Sequence, residues 1–509
     1  MLIAGLDFGT SGVKLVAVDG AGAIVARAQA DYGTTTGPAG ESEQRPEDWW
    51  AAARAVVAES GCAGRIDALG LTGQMQDLIP VAAARSLRPA LLYSDTRAGE
   101  QHARLRAQLP DWEAATGNQQ DVTNVAAKIA WLAEHEPGTL ENAEHLLFGA
   151  PGYIAWRATG LAACDVTTAS TTGLLDTAER RWSGDVVAAA GARAEQLPAL
   201  VGAAADAATP EAPIGGLRPD AAAELGLRTG IPVVLAMGDA GATTDGLVGS
   251  APGDAYLYLG TTGWLAGVTP APRDGGGEPS PIHSLVLPGW QTRLRIGAVQ
   301  SAGSTADWAR RAFLPGLGFA EVEARVAERV ADPAAVAVRP LCLPGLSGER
   351  TPVRDGDFRG AFVGVHERTG PMDFYLGALT GVAMGLRHAA DAMGIDQSRI
   401  PLVGGAAASP AWRRILADVF DATIVTGAAG ADDPAAHSAV RAAAGALGVA
   451  RPAPLFAFGR QALGRNASKA AATTETEPGP ARRLYAETLA THRALYDALA
   501  PAFHRKARQ

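Results

Sequence analysis

Two short apolar runs joined by a glycine-rich turn open the chain, and this pattern limits how its first half can fold. Residues 2–6 lead into an Asp-Phe-Gly-Thr-Ser-Gly turn, and residues 13–18 form the second run. Runs of this length around a tight turn predict two antiparallel strands. Successive N–H groups in a glycine-rich turn suit an anion, and Asp7 at the tip of the first strand suits magnesium. The turn is therefore compatible with a nucleotide triphosphate site and, equally, with an ordinary hairpin.

Composition excludes several functional classes. The chain has 509 residues and a net charge of −9, which predicts two or more domains and no basic surface for nucleic acid. No apolar run reaches the roughly 20 residues that span a bilayer. The cysteines, Cys62, Cys164 and Cys342, are far apart, which fits a reducing compartment and argues against a disulfide framework or a zinc site. We therefore expect a cytoplasmic protein with neither a nucleic-acid nor a membrane partner.

The opening pattern recurs halfway along the chain. Residues 255–259 form an apolar run, a Gly-Thr-Thr-Gly turn follows, and residues 264–268 form a second run. This second turn has no acid at the position of Asp7. A duplicated core with one phosphate turn in each half predicts two domains that close on a nucleotide.

The rest of the chain alternates between strand and helix patterns. Residues 66–72 and 231–237 predict buried strands, whereas residues 125–135 and 371–393 predict helices. Residues 467–480 are polar and predict a loop. The alternation predicts an α/β fold.

A carboxylate follows the predicted strand 231–237. Asp239 stands between Gly238 and a run of small residues that begins a helix. A carboxylate at a strand tip is well placed to accept the proton of a substrate hydroxyl. The same position suits a helix N-cap, and the residues alone favour the N-cap. Asp245, farther along this helix, is expected to be structural.

Four other segments contain candidate residues, and three of them have two interpretations each. Residues 74–77 could line a substrate pocket or form a loop. Asp95, close to Arg97, could order sugar hydroxyls or form only an ion pair. Lys128 is expected to make an ordinary amphipathic contact on its helix. The small residues 404–406 permit the approach of a flat ligand such as adenine, and they also suit a simple strand-to-helix turn. The chain contains no Walker A pattern, no G-x-G-x-x-G and no nucleophile elbow.

Taken together and in this order, the motifs resemble the FGGY carbohydrate kinases of the actin-like ATPase superfamily, and among them the xylulokinases. The resemblance runs from residue 2 to about residue 449. The segments that carry it are DFGTSGVK, LTGQMQDL, YSDTR, KIAWLAEHEP, AMGDAGA, YLYLGTTG, ERTPVRDGDFRGAFVG and VGGAAASPAWRRILADVF. The resemblance implies an α/β fold of two actin-like (ribonuclease H-like) domains, residues 1–245 and 246–509, with a nucleotide cleft between them.

The resemblance also implies roles for individual residues, with ATP and Mg²⁺ as cofactors. Asp239 would be the catalytic base, and Asp7 and Asp239 would lie at the metal. The residues expected to contact the nucleotide are Asp7, Thr10, Ser11, Lys14, Gly260, Thr261, Thr262, Gly404, Gly405 and Ala406. The residues expected to contact the sugar are Gln74, Met75, Gln76, Asp95 and Asp239. A small sugar would be the main partner, and a homodimer is possible for this family.

Two residues depart from the xylulokinase pattern at the expected sugar site. Gln76 stands where those enzymes usually have His, and Ala240 stands where they usually have Asn. An unmatched buried polar group costs roughly 1–3 kcal/mol, so two altered contacts are enough to change which sugar is preferred. The expected activity is phosphorylation of D-xylulose to D-xylulose 5-phosphate. The alternatives are a kinase for another ketose or a polyol and, in a different class, a non-catalytic actin-like protein that binds sugar or ATP.

Overall fold

The computed structural model describes residues 1–202, 212–272, 280–351, 353–427, 433–456 and 473–507. Within these ranges the chain forms two large mixed β-sheets, one in each half, with helices packed against them. Small strands and helices lie between the main strands of the first half in the sequence.

A six-stranded sheet forms the core of the first half. Its strands are β1 (Leu2–Phe8), β2 (Gly12–Asp19), β3 (Ile24–Asp31), β4 (Ala68–Gly73), β5 (Pro213–Gly216) and β6 (Pro232–Leu235). They lie in the order β5-β6-β4-β1-β2-β3. Strands β1, β4 and β6 are parallel neighbours, whereas β2, β3 and β5 pair antiparallel. The predicted opening hairpin is confirmed, and its register places Asp7 opposite Lys14.

A seven-stranded sheet forms the core of the second half. Its strands are β7 (Ala255–Leu259), β8 (Gly263–Pro270), β9 (His283–Val286), β10 (Thr292–Val299), β11 (Arg399–Val403), β12 (Thr423–Thr426) and β13 (Thr474–Thr476). Their order is β9-β10-β8-β7-β11-β12-β13, with β7, β11 and β12 parallel. The order β10-β8-β7-β11-β12 repeats the order β3-β2-β1-β4-β6 of the first sheet, which confirms the predicted internal repeat. The loop predicted for residues 467–480 is wrong where β13 lies, because those residues pair with β12; residues 467–472 lie outside the described residues.

Helices cover both sheets. The main helices are α1 (Pro46–Glu59), α2 (Val125–His135), α3 (Ala150–Thr159), α4 (Asp239–Leu247), α5 (Gly303–Phe313), α6 (Pro371–Met393), α7 (Pro410–Phe420), α8 (Pro434–Ala446) and α9 (Arg482–Ala507). The bounds of α2 and α6 are those that the sequence predicts. None of the helices in the described ranges is both long enough and apolar enough to cross a membrane.

The remaining elements are shorter or lie at the edges. The other helices are Gly99–Gln108, Trp112–Thr116, Pro137–Asn142, Val166–Ala169, Gly184–Ala190, Pro219–Leu225, Phe319–Val330 and Pro333–Ala337, with 3₁₀ turns at Ala63–Arg65, Ala194–Gln196 and Gly405–Ala408. The other strands are Thr35–Thr36, Ser42–Gln44, Ile79–Ala82, Arg85–Ser86, Ala90–Leu91, His145–Leu147, Ala163–Asp165, Leu175–Asp176, Arg181–Trp182, Ala199–Val201, Leu341–Leu343 and Ala361–Val363.

Helix α8 joins the two halves, because it comes from the second half and packs on the first sheet. Its alanines share a buried cluster with side chains of β1, β2, β4 and β6. The close approach requires glycine in the sheet: a Cβ atom on Gly5 or Gly70 would lie 2.0 Å from the carbonyl oxygen of Ala436 or Ala439, respectively. Helix α4, which follows β6, also packs against α8. The end of β6 is therefore connected to the second half through α4 and α8.

Candidate active site

The parallel strands of the first sheet bring the predicted site residues to one edge. Asp7 lies near the carboxyl end of β1, residues 74–76 follow β4, and Asp239 follows β6. Because β1, β4 and β6 are parallel neighbours, these three strand ends share the same edge of the sheet. The carboxyl edge of parallel strands is the usual place for ligands in α/β folds. The hydroxyl of Thr72 donates to the Met237 carbonyl oxygen at 2.6 Å and ties two of these ends together.

Asp239 is the first residue of α4 and not its cap, because Gly238 is in the N-cap position. The N-cap alternative is therefore wrong. One oxygen of Asp239 accepts a 2.6 Å hydrogen bond from the Ala240 N–H. Burial and, to a smaller extent, the nearby charge of Asp7 raise the pKa of Asp239 to about 7. A carboxylate with a pKa near neutrality is suited to accept and release a proton at physiological pH.

The carboxylate of Asp7 is a candidate metal ligand. Its Oδ1 atom is buried and has no hydrogen-bond partner among the described residues. Burial raises the pKa of Asp7 to about 6, with Lys14 opposing that rise and Asp433 adding to it. Two neighbouring carboxylates that resist ionisation are stabilised by a dication, and magnesium typically takes only one or two carboxylates beside water and phosphate oxygens. Asp7 and Asp239 thus fit Mg²⁺.

In each glycine-threonine turn the N–H of the first glycine donates to a carbonyl oxygen of the same turn, although the acceptor positions differ. In the first turn the Gly9 N–H donates to the Gly12 carbonyl oxygen at 3.0 Å, and in the second the Gly260 N–H donates to that of Thr262 at 2.9 Å. Thr10 and Thr261 are exposed at the two tips. Ser11, next to Thr10, is exposed as well.

Residues from other elements donate hydrogen bonds to carbonyl oxygens of each turn. The Tyr32 hydroxyl donates to the carbonyl oxygen of Gly9 at 2.5 Å, and Gln44 donates to that of Thr10 at 2.7 Å. In the second half, the N–H groups of Ala302 and Ser304 at the start of α5 both donate to the Thr261 carbonyl oxygen at 3.1 Å. Both turns therefore expose a fixed set of backbone and hydroxyl groups.

The predicted adenosine turn lies directly after β11, beside the second phosphate turn. Gly404 has φ +92°, and a Cβ atom there would lie 2.4 Å from the Leu259 carbonyl oxygen, so only glycine fits. Gly405 begins a 3₁₀ turn that includes Ala406, and both Gly404 and Gly405 are exposed. Strands β7 and β11 are parallel neighbours, so the second phosphate turn and this turn share one edge of the second sheet.

Met75 packs against Gly238, the residue before Asp239. A Cβ atom on Gly238 would come within 2.3 Å of the Met75 Sδ, so the thioether packs on the glycine that precedes Asp239. Gln74 is buried, and its amide nitrogen donates to Gln44 at 3.0 Å. Through Gln44, this side chain is connected to the first phosphate turn.

Both the side chain and the backbone of Gln76 form hydrogen bonds with other residues. Its backbone is in the left-handed region with φ +66°, and its amide nitrogen donates to the Thr123 hydroxyl at 3.0 Å. The Nζ of Lys128, which is fully buried, donates to the Gln76 carbonyl oxygen at 2.9 Å. The expectation of an ordinary amphipathic contact for Lys128 is wrong.

Asp77 and Lys128 are two fully buried charged residues beside the same loop, and they attract each other without a direct hydrogen bond between their side chains. One oxygen of Asp77 accepts from the Tyr93 N–H at 2.9 Å, whereas Oδ2 has no partner among the described residues. Burial raises the pKa of Asp77 and lowers the pKa of Lys128, and their mutual attraction opposes both changes. The charge of Asp239 also raises the pKa of Asp77, so these two carboxylates interact electrostatically.

Asp95 and Lys14 are occupied by protein partners. Asp95 is fully buried and pairs with Arg97 at 2.7 Å, and it accepts from the Ser42 N–H at 2.8 Å. The structure thus shows the ion-pair alternative for Asp95. Lys14 pairs with Asp433, at the start of α8, at 2.8 Å. Asp245 is structural as expected.

Three residues near this site have roles that the sequence did not predict. Asp77 and Lys128 were open to detection, because a lysine within an apolar helix next to an acid at a strand tip signals a buried pair. Asp433 gave no such signal, since it is almost 430 residues from Asp7 in the sequence and reaches the site only through the path of α8.

Comparison with known proteins gives one consistent result. Residues 2–246 and 255–447 match the N-terminal and C-terminal domains of the FGGY family of carbohydrate kinases. Xylulose kinase from Escherichia coli (strain K12) is 34% identical over 82% of this chain and 84% of its own length. Xylulose kinase from Klebsiella pneumoniae is 31% identical over 89% and 92% of the two chains.

The fold agrees with these relatives. The crystal structure of xylulose kinase from Rhodospirillum rubrum superposes with a TM-score of 0.82 at 26% identity, covering 99% of this chain and 100% of that chain. The predicted α/β fold of two actin-like domains is confirmed. The chain is a carbohydrate kinase with ATP as its co-substrate, and it belongs to the FGGY family.

Proposed function

We propose that this kinase converts D-xylulose to D-xylulose 5-phosphate. The observation that carries the proposal is the position of Asp239: a half-buried carboxylate with a pKa raised to about 7, near Asp7, directly after the glycine against which Met75 packs. The similarity to xylulose kinases over most of the chain supports the choice of sugar.

Asp239 is proposed to accept the proton of the reacting sugar hydroxyl. The hydroxyl oxygen attacks the γ-phosphate of ATP, and ADP leaves. The Ala240 N–H fixes the orientation of the carboxylate, and Met75 limits the volume beside it. Positioning of this kind supplies much of the rate enhancement in phosphoryl transfer, because little covalent chemistry is required of the protein.

The nucleotide is proposed to lie between the two sheets. Thr10, Ser11 and Lys14 of the first turn would contact its phosphates, as would Gly260, Thr261 and Thr262 of the second turn. Gly404, Gly405 and Ala406 would flank the adenosine. Asp7 and Asp239 would hold Mg²⁺, which would neutralise charge on the phosphoryl oxygens.

The sugar is proposed to contact Gln74, Met75, Gln76 and Asp239, and direct contact with Asp95 stays a prediction. The amide of Gln76 is already bonded to Thr123, and that hydroxyl donates to Asp121 at 2.6 Å. Gln76 is therefore part of a fixed network, so its replacement of the usual His changes the set of available donors. The methyl group of Ala240 offers neither a donor nor an acceptor.

The division into domains at residues 245 and 246 remains a proposal, as do the homodimer and the absence of nucleic-acid and membrane partners. A cytoplasmic location is proposed from the use of ATP and from the three cysteines, which are all free and buried. A role in xylose metabolism follows from the proposed substrate.

Release of ADP from Mg-ATP, measured across ketoses, pentoses and polyols with a no-sugar blank, tests the choice of substrate. We expect the highest kcat/KM with D-xylulose. Higher activity on another ketose or on a polyol would show that Gln76 and Ala240 redirect the site. Bound ATP without turnover on any compound would contradict the proposal and favour a binding protein.

The matched variants Gln76→His and Ala240→Asn restore the residues usual in xylulokinases. If D-xylulose is the substrate, each variant is expected to keep kcat/KM for it within about tenfold, which corresponds to the roughly 1.4 kcal/mol of one hydrogen bond. A gain of a hundredfold or more in either variant would indicate that the native residues serve a different sugar.

A further inference from the structure

The side chain of Gln76, in the loop after β4, is fixed by a hydrogen bond to the turn that precedes α2. Its Nε2 atom lies 3.0 Å from the Oγ1 atom of Thr123. A side-chain amide can present either its NH2 group or its carbonyl oxygen to such a partner, and the partner's own bonds decide between them. The group that faces Thr123 therefore determines what Gln76 offers to a bound sugar.

The proton of the Thr123 hydroxyl is already used by Asp121. The hydroxyl lies 2.6 Å from the Asp121 Oδ1, which also accepts from the Thr123 N–H at 2.9 Å. Burial opposes the ionisation of Asp121, but these two bonds and the charge of Arg354 hold its pKa below the ordinary value. Because an ionised carboxylate has no proton to give, the Thr123 hydroxyl is the donor in this bond.

This arrangement leaves one orientation for the Gln76 amide. Since the proton of Thr123 is bonded to Asp121, the Thr123 oxygen can only accept, and the amide turns its NH2 group toward it. The amide carbonyl oxygen then points away from Thr123, and it forms no hydrogen bond with the described residues. Gln76 is half-buried beside Met75, so its side chain presents an acceptor at the proposed sugar site.

The second half of the chain also contacts Asp121. The guanidinium group of Arg354 donates to the Gln119 side chain at 2.8 Å and lies 3.5 Å from the Asp121 Oδ2. The side chains of Arg354 and Asp121 are 40% and 39% exposed, so the pair contributes little to stability. Its effect is to favour the ionised form of Asp121 and to connect the loop of Gln76 to the second half.

We infer that Thr123 and Asp121 are positioning residues of the sugar site, which orient Gln76 to accept a hydrogen bond from a hydroxyl group of the substrate. The matching ligand is a sugar or polyol with a free hydroxyl group at the atom that Gln76 contacts. A desolvated acceptor without a donor is costly, so the contact discriminates against ligands that lack this hydroxyl. The inference rests on the proposed contact between Gln76 and the sugar.

Calorimetric titration of the full chain with Mg-ADP tests the inference, using whichever ketose, pentose or polyol the native chain binds most tightly. Because binding is measured, a failure of D-xylulose as the substrate would leave this test intact. Thr123→Val preserves the shape of the side chain and removes its hydroxyl, and we expect about tenfold weaker sugar binding with unchanged Mg-ADP affinity. Thr123→Ser keeps the hydroxyl and should restore the native affinity.

A double-mutant cycle separates this positioning role from a merely structural one. If Thr123 acts through Gln76, Thr123→Val should change sugar affinity less than about twofold in a chain that already carries Gln76→Leu. Thr139→Val is the matched control, because its hydroxyl also donates to a carboxylate, that of Glu136, beyond the other end of α2. This control should bind the sugar as the native chain does.

Singly fluorinated analogues of the same sugar test the direction of the bond, because fluorine on carbon donates no hydrogen bond. One analogue should bind the native chain about tenfold more weakly than the parent sugar, and it should bind Gln76→Leu as the parent does. Native affinity in Thr123→Val, additive losses in the cycle, or equal effects of every analogue in both chains would overturn the inference. Binding of none of the sugars to the native chain would overturn it as well.

Discussion

Asp239 carries a charge that its surroundings oppose. Its pKa is about 7 in the folded chain and about 3.9 in an unfolded one. The folded state therefore binds the proton more tightly, and the free energy of unfolding falls as pH rises from about 4 to about 7. This destabilisation accompanies a carboxylate whose pKa is close to 7 at the proposed reacting centre.

Asp239→Asn is therefore expected to stabilise the ligand-free protein. Above pH 7 the gain should be on the order of 4 kcal/mol, and near pH 4 it should fall to about 0.5 kcal/mol, because Asp239 is then protonated in the folded state and about half protonated in the unfolded state. Urea unfolding of both proteins between pH 4 and pH 8 measures this. Equal stability at pH 8 would show that the carboxylate is not strained by burial.

The buried charges of Asp77 and Lys128 give a second prediction about single residues. Lys128→Met removes the cation that balances Asp77 and also the donor to the Gln76 carbonyl oxygen. We expect a loss of about 3 kcal/mol in the free energy of unfolding and a rise of about tenfold in KM for the sugar, with KM for ATP unchanged.

The double variant Asp77→Asn/Lys128→Met is the control for this pair. It removes the unbalanced charge, so it should recover part of the stability while the sugar KM stays high. Equal increases in both KM values would argue against a local effect on Gln76.

At the scale of single elements, the packing of α8 on the first sheet depends on the absence of side chains. Gly70→Ala would place a Cβ atom 2.0 Å from the Ala439 carbonyl oxygen. Because backbone cannot rotate out of the way, we expect a loss of at least about 2 kcal/mol in thermal or urea unfolding.

Gly138→Ala is the matched control, since a Cβ atom there meets nothing within 4 Å. Within a helix this change should be neutral or should stabilise by up to about 1 kcal/mol. A similar loss in both variants would contradict the account of close packing.

The elements themselves were largely predictable, and the site only partly. The hydrophobic periodicity of the sequence predicted the bounds of α2 and α6. The glycine-threonine turns between apolar runs predicted both hairpins. The edge strand β13 was missed because a three-residue strand in a polar segment has almost no pattern of its own. The role of Lys128 was missed because a lysine on an apolar helix normally extends its amine to water.

At the scale of the whole molecule, a buried ion pair connects the two halves. Asp245 of α4 pairs with Arg441 of α8 at 2.9 Å, and Ser438 donates to the same carboxylate at 2.8 Å. The sequence could not predict this pair, because its members are nearly 200 residues apart and no local pattern connects them.

Arg441→Met leaves the charge of Asp245 buried without a cation. We expect a loss of about 3–5 kcal/mol in the free energy of unfolding. Arg325→Met removes an exposed pair with Glu321 on one helix, and it should cost less than about 1 kcal/mol. Comparable losses would mean that the pair between α4 and α8 contributes no more than a surface contact.

The central claim is that Asp239 activates a sugar hydroxyl of D-xylulose for attack on ATP. Steady-state ADP release with D-xylulose, measured for the native chain and for Asp239→Asn beside calorimetric ATP affinity, tests it most directly. We predict a loss of about 10³-fold in kcat with ATP affinity changed less than about threefold. Retention of more than a tenth of the native kcat would contradict the assignment of Asp239 as the base.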